Sequence, residues 1–206
     1  MNTNLLRIQD GWPTARVLAG LPGGAAAWAI AQQVDRPTLV VTSTPAECTL
    51  LANELTFHLD GRAPVCVFPP DDVRPYDGLS PHPDIVRQRL AALMQLGQKQ
   101  PCIILTSARG LLHKVLDTET FEALTHTIRT GEEIHRESVV QDWIKRGYHA
   151  VARVEEPGTV STRGAIIDLW PMAAEHPVRI EFFDDEIEEI RILDPVSQRS
   201  RGTVEF

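Results

Sequence analysis

The clearest chemical pattern in the sequence is a run of glycines and alanines near the N-terminus. Gly20, Gly23 and Gly24 precede an apolar helical stretch, the position at which a phosphate-binding loop of the form GxxxxGK[ST] opens its helix. In a working loop the lysine contacts the β- and γ-phosphates, and the hydroxyl binds Mg²⁺. Aligned from Gly20, the last three template positions are occupied here by Ala25, Ala26 and Ala27.

Loss of the lysine and the metal ligand argues against nucleotide hydrolysis by this loop. A glycine-rich backbone at a helix N-terminus can still form an anion-binding nest through its N–H groups. The simpler alternative is an ordinary helix start rich in glycine and alanine. The sequence therefore predicts no catalytic residue and no bound cofactor.

Other reactive side chains do not form a metal or catalytic pattern. His82 lies in a Pro-His-Pro-Asp loop and has no second ligand at metal-binding spacing. The solvent-exposed side of a turn and strand accounts for the remaining acidic residues, which are the pair Glu155-Glu156 and the run 184–189. The cysteines are widely spaced in apolar runs, which argues against a disulfide framework and for a reducing cytoplasm: Cys48, Cys66 and Cys102.

The elements around the glycine-rich loop predict an α/β domain over residues 1–118. Helices are expected from Pro45 to about His58 and after Asp84, which we expect to cap the second one. A long proline-rich loop precedes that helix. Alternating strands and helices predict a parallel sheet with crossover helices, a degenerate P-loop-like domain. The expected strands are Thr38–Thr42, Val65–Phe68 and Cys102–Leu105.

Residues 119–206 have a different pattern and predict a small α+β domain. One helix is expected over Ser138–Arg146, capped by Ser138 and ended by Gly147, with Val139, Val140 and Trp143 buried. Closely spaced strand signals follow and predict an antiparallel sheet. These strands are Tyr148–Val154, Thr159–Arg163, Ala165–Trp170, Val178–Phe183 and Glu186–Ile192.

Composition and charge narrow the classes of function. The chain is 43% hydrophobic and 23% charged, as globular proteins are. It contains no apolar run near the length of a membrane span, and its N-terminus lacks the features of a secretory signal. The net charge is −8, and the whole acidic excess lies in residues 119–206, which argues against a surface for wrapping DNA.

Three sequence blocks resemble the N-terminal region of bacterial transcription-repair coupling factors, which is itself similar to the excision-repair protein UvrB. The first block is Arg74–Leu90. The second and more specific block is Glu156–Pro171. The third, Glu175–Asp194, is followed by Ser197-Gln-Arg199. The resemblance covers nearly the whole chain.

Two departures from UvrB affect what the resemblance implies. UvrB keeps an intact phosphate loop, and it inserts a long aromatic hairpin for gripping DNA after the strand that ends near Phe68. Here the loop carries alanines, and the hairpin region is the proline loop with Tyr76 as its only tyrosine. The resemblance also implies a longer parent, an ATP-dependent DNA translocase, whose motor and RNA-polymerase-binding domain lie beyond Phe206.

The resemblance implies that this chain is a non-catalytic module that docks UvrA, with RNA polymerase and DNA contacted only by other domains. We expect a monomer in the cytoplasm. The matching docking positions are Arg163, Arg179 and Phe183, with Glu181 as a polar neighbour. The alternatives are a nucleotide-dependent DNA-repair enzyme like UvrB and a DNA-binding platform.

Strand alternation agrees with a docking role for part of this set. Arg179, Glu181 and Phe183 fall on one face of the strand, and the apolar residues between them fall on the other. An arginine fork beside an exposed aromatic ring is a common binding hot spot. In the alternative arrangement, Arg179 and Glu181 are solvated partners and Phe183 fills a second, minor core.

Overall fold

The computed structural model describes residues 6–8, 15–73, 77–112 and 114–203. Strands β1 (Leu6–Ile8) and β2 (Ala15–Val17) form an antiparallel hairpin that the sequence did not predict. Arg74 to Tyr76 of the proline loop lie outside the described residues.

The first sheet is parallel, as predicted. Within the described residues it has the strand order β3-β5-β4. Its strands are β3 (Thr38–Thr42), β4 (Val65–Val67) and β5 (Ile103–Ser107). The helices of this module are α1 (Ala25–Ala31), α2 (Pro45–Leu59) and α3 (Pro83–Gly97), and a 3-10 turn spans Ala108–Leu112.

Helices cover both faces of β5, which is buried along its whole length. Helices α1 and α2 pack on one face, where Leu55 and Leu59 meet Ile103 and Leu105. On the other face α3 packs through Ala92 against a small cluster of Phe68, Cys102 and Ile104. Cys48 and Cys102 are buried and Cys66 is half-buried, and burial raises the pKa of each of these thiols.

Two helix starts differ from the prediction for the same reason. Helix α3 is capped by His82, not Asp84, because the His82 Nδ1 accepts the backbone N–H of Asp84 at 3.2 Å. Helix α5 (Arg136–Lys145) is capped by His135, not Ser138, and the His135 Nδ1 accepts the Ser138 N–H at 3.4 Å. An imidazole nitrogen is an acceptor in the neutral ring, so it can replace the usual capping oxygen.

The second sheet lies in residues 149–203 and is mostly antiparallel, as predicted. In the described part of the chain its strand order is β11-β10-β9-β8-β7-β6, and β6 alone pairs in parallel. Strand β6 is shorter than predicted, and neither β11 nor helix α4 (Thr118–Leu124) was predicted. The strands are β6 (His149–Ala150), β7 (Thr159–Arg163), β8 (Ile166–Leu169), β9 (Val178–Phe183), β10 (Glu186–Leu193) and β11 (Ser200–Thr203).

Helix α5 packs on one face of this sheet through the three residues expected to be buried. Val139, Val140 and Trp143 are each less than a tenth exposed. They meet the inward side chains of four strands, which form the core of this module: Val160, Ile167, Leu169, Val178, Ile180, Phe182, Ile187 and Ile190. The opposite face of the sheet carries the polar residues. None of the described helices is long and apolar enough to cross a membrane.

Candidate functional site

The glycine-rich segment forms a turn and then a short helix. Gly20 and Gly23 have φ angles of 74° and 51°, and α1 begins at Ala25 directly after Gly24. Ala27 is completely buried against α2, and Ala26 lines an open groove of about 750 Å³ together with mainly apolar residues. The position that would carry the magnesium hydroxyl is therefore a packing position here, and the position that would carry the lysine lines an open groove.

His82 and the acidic residues do not assemble a metal site in the part of the chain that the structure describes. His82 caps α3, and its own N–H is 3.2 Å from an Asp72 carboxylate oxygen. The acidic pair Glu155-Glu156 is exposed, as the solvated-face interpretation predicted.

Strand β9 has the predicted alternation. Val178, Ile180 and Phe182 are buried in the core, whereas Phe183 is 74% exposed. The alternative in which Phe183 fills a second core is therefore wrong. The intervening residues Arg179 and Glu181 are half-buried on the same face as Phe183.

Arg179 is held by a buried carboxylate on the neighbouring strand. Its Nε and Nη2 donate to the two carboxylate oxygens of Asp168 at 2.7 and 2.9 Å. The side chain of Asp168 is 1% exposed and that of Arg179 is 17% exposed. This hydrogen-bonded pair raises the pKa of the Arg179 guanidinium, so the fork stays charged and fixed in orientation.

Glu181 belongs to a second charged group on the same face. Arg191 of β10 lies with its Nη1 3.3 Å from a Glu181 carboxylate oxygen, and its Nη2 donates to Glu189. The hydroxyl of Thr203 on β11 donates to the other Glu189 oxygen at 3.2 Å. The hydrogen bond from Arg191 lowers the pKa of Glu189, and the same bond raises the pKa of Arg191.

Arg163 differs from the other two arginines of this face. It is exposed on β7, next to Ile166 of β8, and its Nη2 donates to the backbone carbonyl of Ala152 at 2.8 Å. Within the described residues, Arg163 forms no ion pair with a carboxylate. The face thus presents one cation that no acidic neighbour compensates.

These residues define a single surface, which we call the polar face. It lies opposite α5, and Arg163 and Phe183 lie toward the end of the sheet that holds the β7–β8 turn. Its members are Arg163, Asp168, Arg179, Glu181, Phe183, Glu189 and Arg191.

Sequence reasoning found four members of the polar face and missed Asp168, Glu189 and Arg191. A signal for Asp168 was present, because it separates Ile167 from Leu169 and so falls on the face opposite the core. Glu189 was missed because β10 contains a bulge between Ile187 and Glu189, where its pairing register with β9 shifts and the regular alternation of side chains is interrupted.

Residues 127–206 match the family described as UvrB interaction domain. This match begins inside the domain predicted over residues 119–206.

The whole chain is similar to proteins called transcription-repair-coupling factors. It is 35% identical to the Myxococcus xanthus protein over 97% of this chain and 18% of that protein. The Escherichia coli protein is 32% identical over 92% of this chain and 17% of its own length. The Bacillus subtilis protein is 28% identical, again over 92% of this chain. The resemblance predicted from the sequence is confirmed.

Proposed function

We propose that this chain is a non-catalytic docking module that recruits UvrA during transcription-coupled excision repair. The observation that carries this proposal is the exposure of Phe183 on a face that also holds the uncompensated Arg163. A large exposed aromatic ring near an arginine is the pattern of a binding hot spot. The match of residues 127–206 to the UvrB interaction domain supports the same function.

The polar face suits a partner surface that combines a carboxylate with an apolar pocket. A carboxylate on UvrA can accept hydrogen bonds from Arg163 and Arg179, because a guanidinium has five N–H donors and Asp168 uses two of those on Arg179. An apolar pocket on UvrA would remove Phe183 from water. Arginine–carboxylate pairs at the edge of such an interface favour rapid and salt-sensitive association.

The rest of the activity belongs, in this proposal, to other parts of a longer protein. The chain spans less than a fifth of the relatives described above. Contacts with RNA polymerase and DNA, and the translocase motor, would lie in those other parts. The buried Ala27 supports a non-catalytic role, because a hydroxyl at this position has no route to a metal ion in solvent.

Removal of the free cation tests the proposal. Arg163→Gln should weaken binding of the chain to purified UvrA by roughly tenfold, as loss of a hot-spot arginine does. Arg129→Gln is the matched control, because Arg129 is exposed in the same module but lies outside the sheet. Titration by calorimetry at two salt concentrations measures both. Equal affinities for the parent chain and Arg163→Gln would contradict the proposed surface.

A further inference from the structure

We propose that Asp168 is a positioning residue of the polar face. It holds the Arg179 guanidinium in the orientation that the partner binds. This inference rests on the proposed function and deepens it. In this role a buried aspartate contributes to recognition without contacting the partner.

The geometry of the pair supports this role. Two hydrogen bonds of 2.7 and 2.9 Å join a planar fork to a planar carboxylate, and such a side-on pair fixes the guanidinium plane. Asp168 is directly opposite Arg179 in the register of β8 and β9, so the two backbones also fix the pair. With 1% of its side chain exposed, Asp168 lies out of reach of a partner.

A held arginine loses less freedom on binding than a mobile one. Immobilising a long side chain at an interface costs conformational entropy, and the two hydrogen bonds to Asp168 already restrain Arg179 in the unbound molecule. The neighbouring Arg191 has two carboxylate partners, Glu181 and Glu189. Arg179 has one strong acidic partner, which leaves three of its N–H donors for a carboxylate on the binding protein.

The opposing possibility is that Asp168 weakens recognition, because its charge neutralises Arg179. The two ideas predict opposite signs for the same substitution. Asp168→Asn keeps the shape of the side chain and removes the charge. If Asp168 positions Arg179, this variant should bind UvrA about tenfold more weakly than the parent chain. If Asp168 only neutralises Arg179, the variant should bind as well or more tightly, and that result would overturn the proposal.

Glu137→Gln is the matched control for charge. It removes one negative charge from α5, on the side of the sheet opposite the polar face, and leaves the pair of Asp168 and Arg179 intact. We expect its affinity for UvrA to stay within about twofold of the parent value. Equal losses in Asp168→Asn and Glu137→Gln would show that overall charge, and not the orientation of Arg179, sets the affinity, and would overturn the proposal.

A spectroscopic measurement on the chain alone separates positioning from folding. The Arg179 Nε–H should give a sharp, slowly exchanging NMR signal in the parent chain and a broadened, averaged signal in Asp168→Asn. An unchanged signal would overturn the proposal even if binding were weaker. If thermal unfolding shows that Asp168→Asn does not fold, Asp168→Glu takes its place, because it keeps the charge and displaces the carboxylate. Binding and an Arg179 signal like those of the parent in that variant would also overturn it.

This test is independent of the proposed function. If the parent chain does not bind UvrA, the proposed function fails, whereas the NMR comparison still decides whether Asp168 holds Arg179.

Discussion

The glycine-rich loop and the polar face treat their side chains in opposite ways. At the loop, the positions that carry charge and hydroxyl groups in a phosphate-binding template are alanines, and Ala27 is buried in the core. On the polar face, charged side chains lie at a sheet surface, and ion pairs join those of β8, β9 and β10. In the proposed function, the first region is a scaffold and the second is the recognition surface.

The two modules also differ in what surrounds their exposed aromatic rings. Phe57 of α2 is 79% exposed, and the nearest ring that it contacts is His58, edge-on at 5.3 Å. Phe183 is 74% exposed and shares its strand face with Arg179 and Glu181. Phe183 therefore differs from Phe57 in lying on a sheet face that also holds the ion pairs of β8, β9 and β10, and the docking proposal depends on that difference.

The largest effect on stability should come from Arg179→Ala. This substitution leaves the buried Asp168 carboxylate without its cation, which should lower the free energy of unfolding by about 3 kcal/mol. Urea unfolding measures the change, with Arg191→Ala as the control, for which we expect a much smaller loss because its pairs are more exposed. Equal losses would contradict the special role of Asp168.

A smaller effect should follow from restoring the template hydroxyl at the loop. Ala27→Thr places a hydroxyl and a methyl group in a closed core, and this should cost about 1–3 kcal/mol of unfolding free energy. Ala26→Lys adds the missing lysine at a half-buried position beside the open groove, and should change stability by less than about 0.5 kcal/mol. Thermal unfolding compares the two variants. ATP turnover by either variant or by the parent would contradict the scaffold interpretation.

The smallest effect concerns the charged group around Arg191. The hydrogen bond from Arg191 lowers the pKa of Glu189 in the folded chain. The stability that this bond contributes is therefore fully present above the unfolded pKa of about 4.3. It is lost as the pH falls through the lower pKa of the folded chain. In Arg191→Gln the titration midpoint of Glu189 should rise toward its ordinary value, as measured by carboxyl NMR.

Asp117 is the internal control for that titration. Its pKa is lowered by the backbone N–H of Thr120 at the start of α4, and this contact does not involve Arg191. The Asp117 midpoint should therefore be the same in the parent and in Arg191→Gln. A Glu189 midpoint that does not move would contradict the assigned pairing.

Much of the fold followed from the sequence because local pattern and burial agreed. The apolar run of β3 and the helix α2 were predicted with nearly the observed bounds, and α2 begins at Pro45 as predicted. Strand β9 was predicted in full, because its strict alternation of apolar and polar residues reflects one buried and one solvated face.

The missed features depend on contacts between distant residues. Nothing local to Asp168 shows that its partner is Arg179, since the pairing arises only when β8 and β9 align. Strand β11 is short, polar and exposed, so its sequence lacks the apolar period of a strand. The histidine caps were missed because rules for helix starts favour Ser, Thr, Asp and Asn.

One measurement tests the central claim most directly: the affinity of UvrA for Phe183→Ala beside that for Phe57→Ala. Both substitutions remove a similarly exposed phenylalanine, so neither should unfold the chain. We predict that Phe183→Ala weakens binding by at least about thirtyfold, or about 2 kcal/mol, and that Phe57→Ala leaves it within about twofold. Unchanged binding in Phe183→Ala, or equal losses in both variants, would contradict the assignment of the polar face as the docking surface.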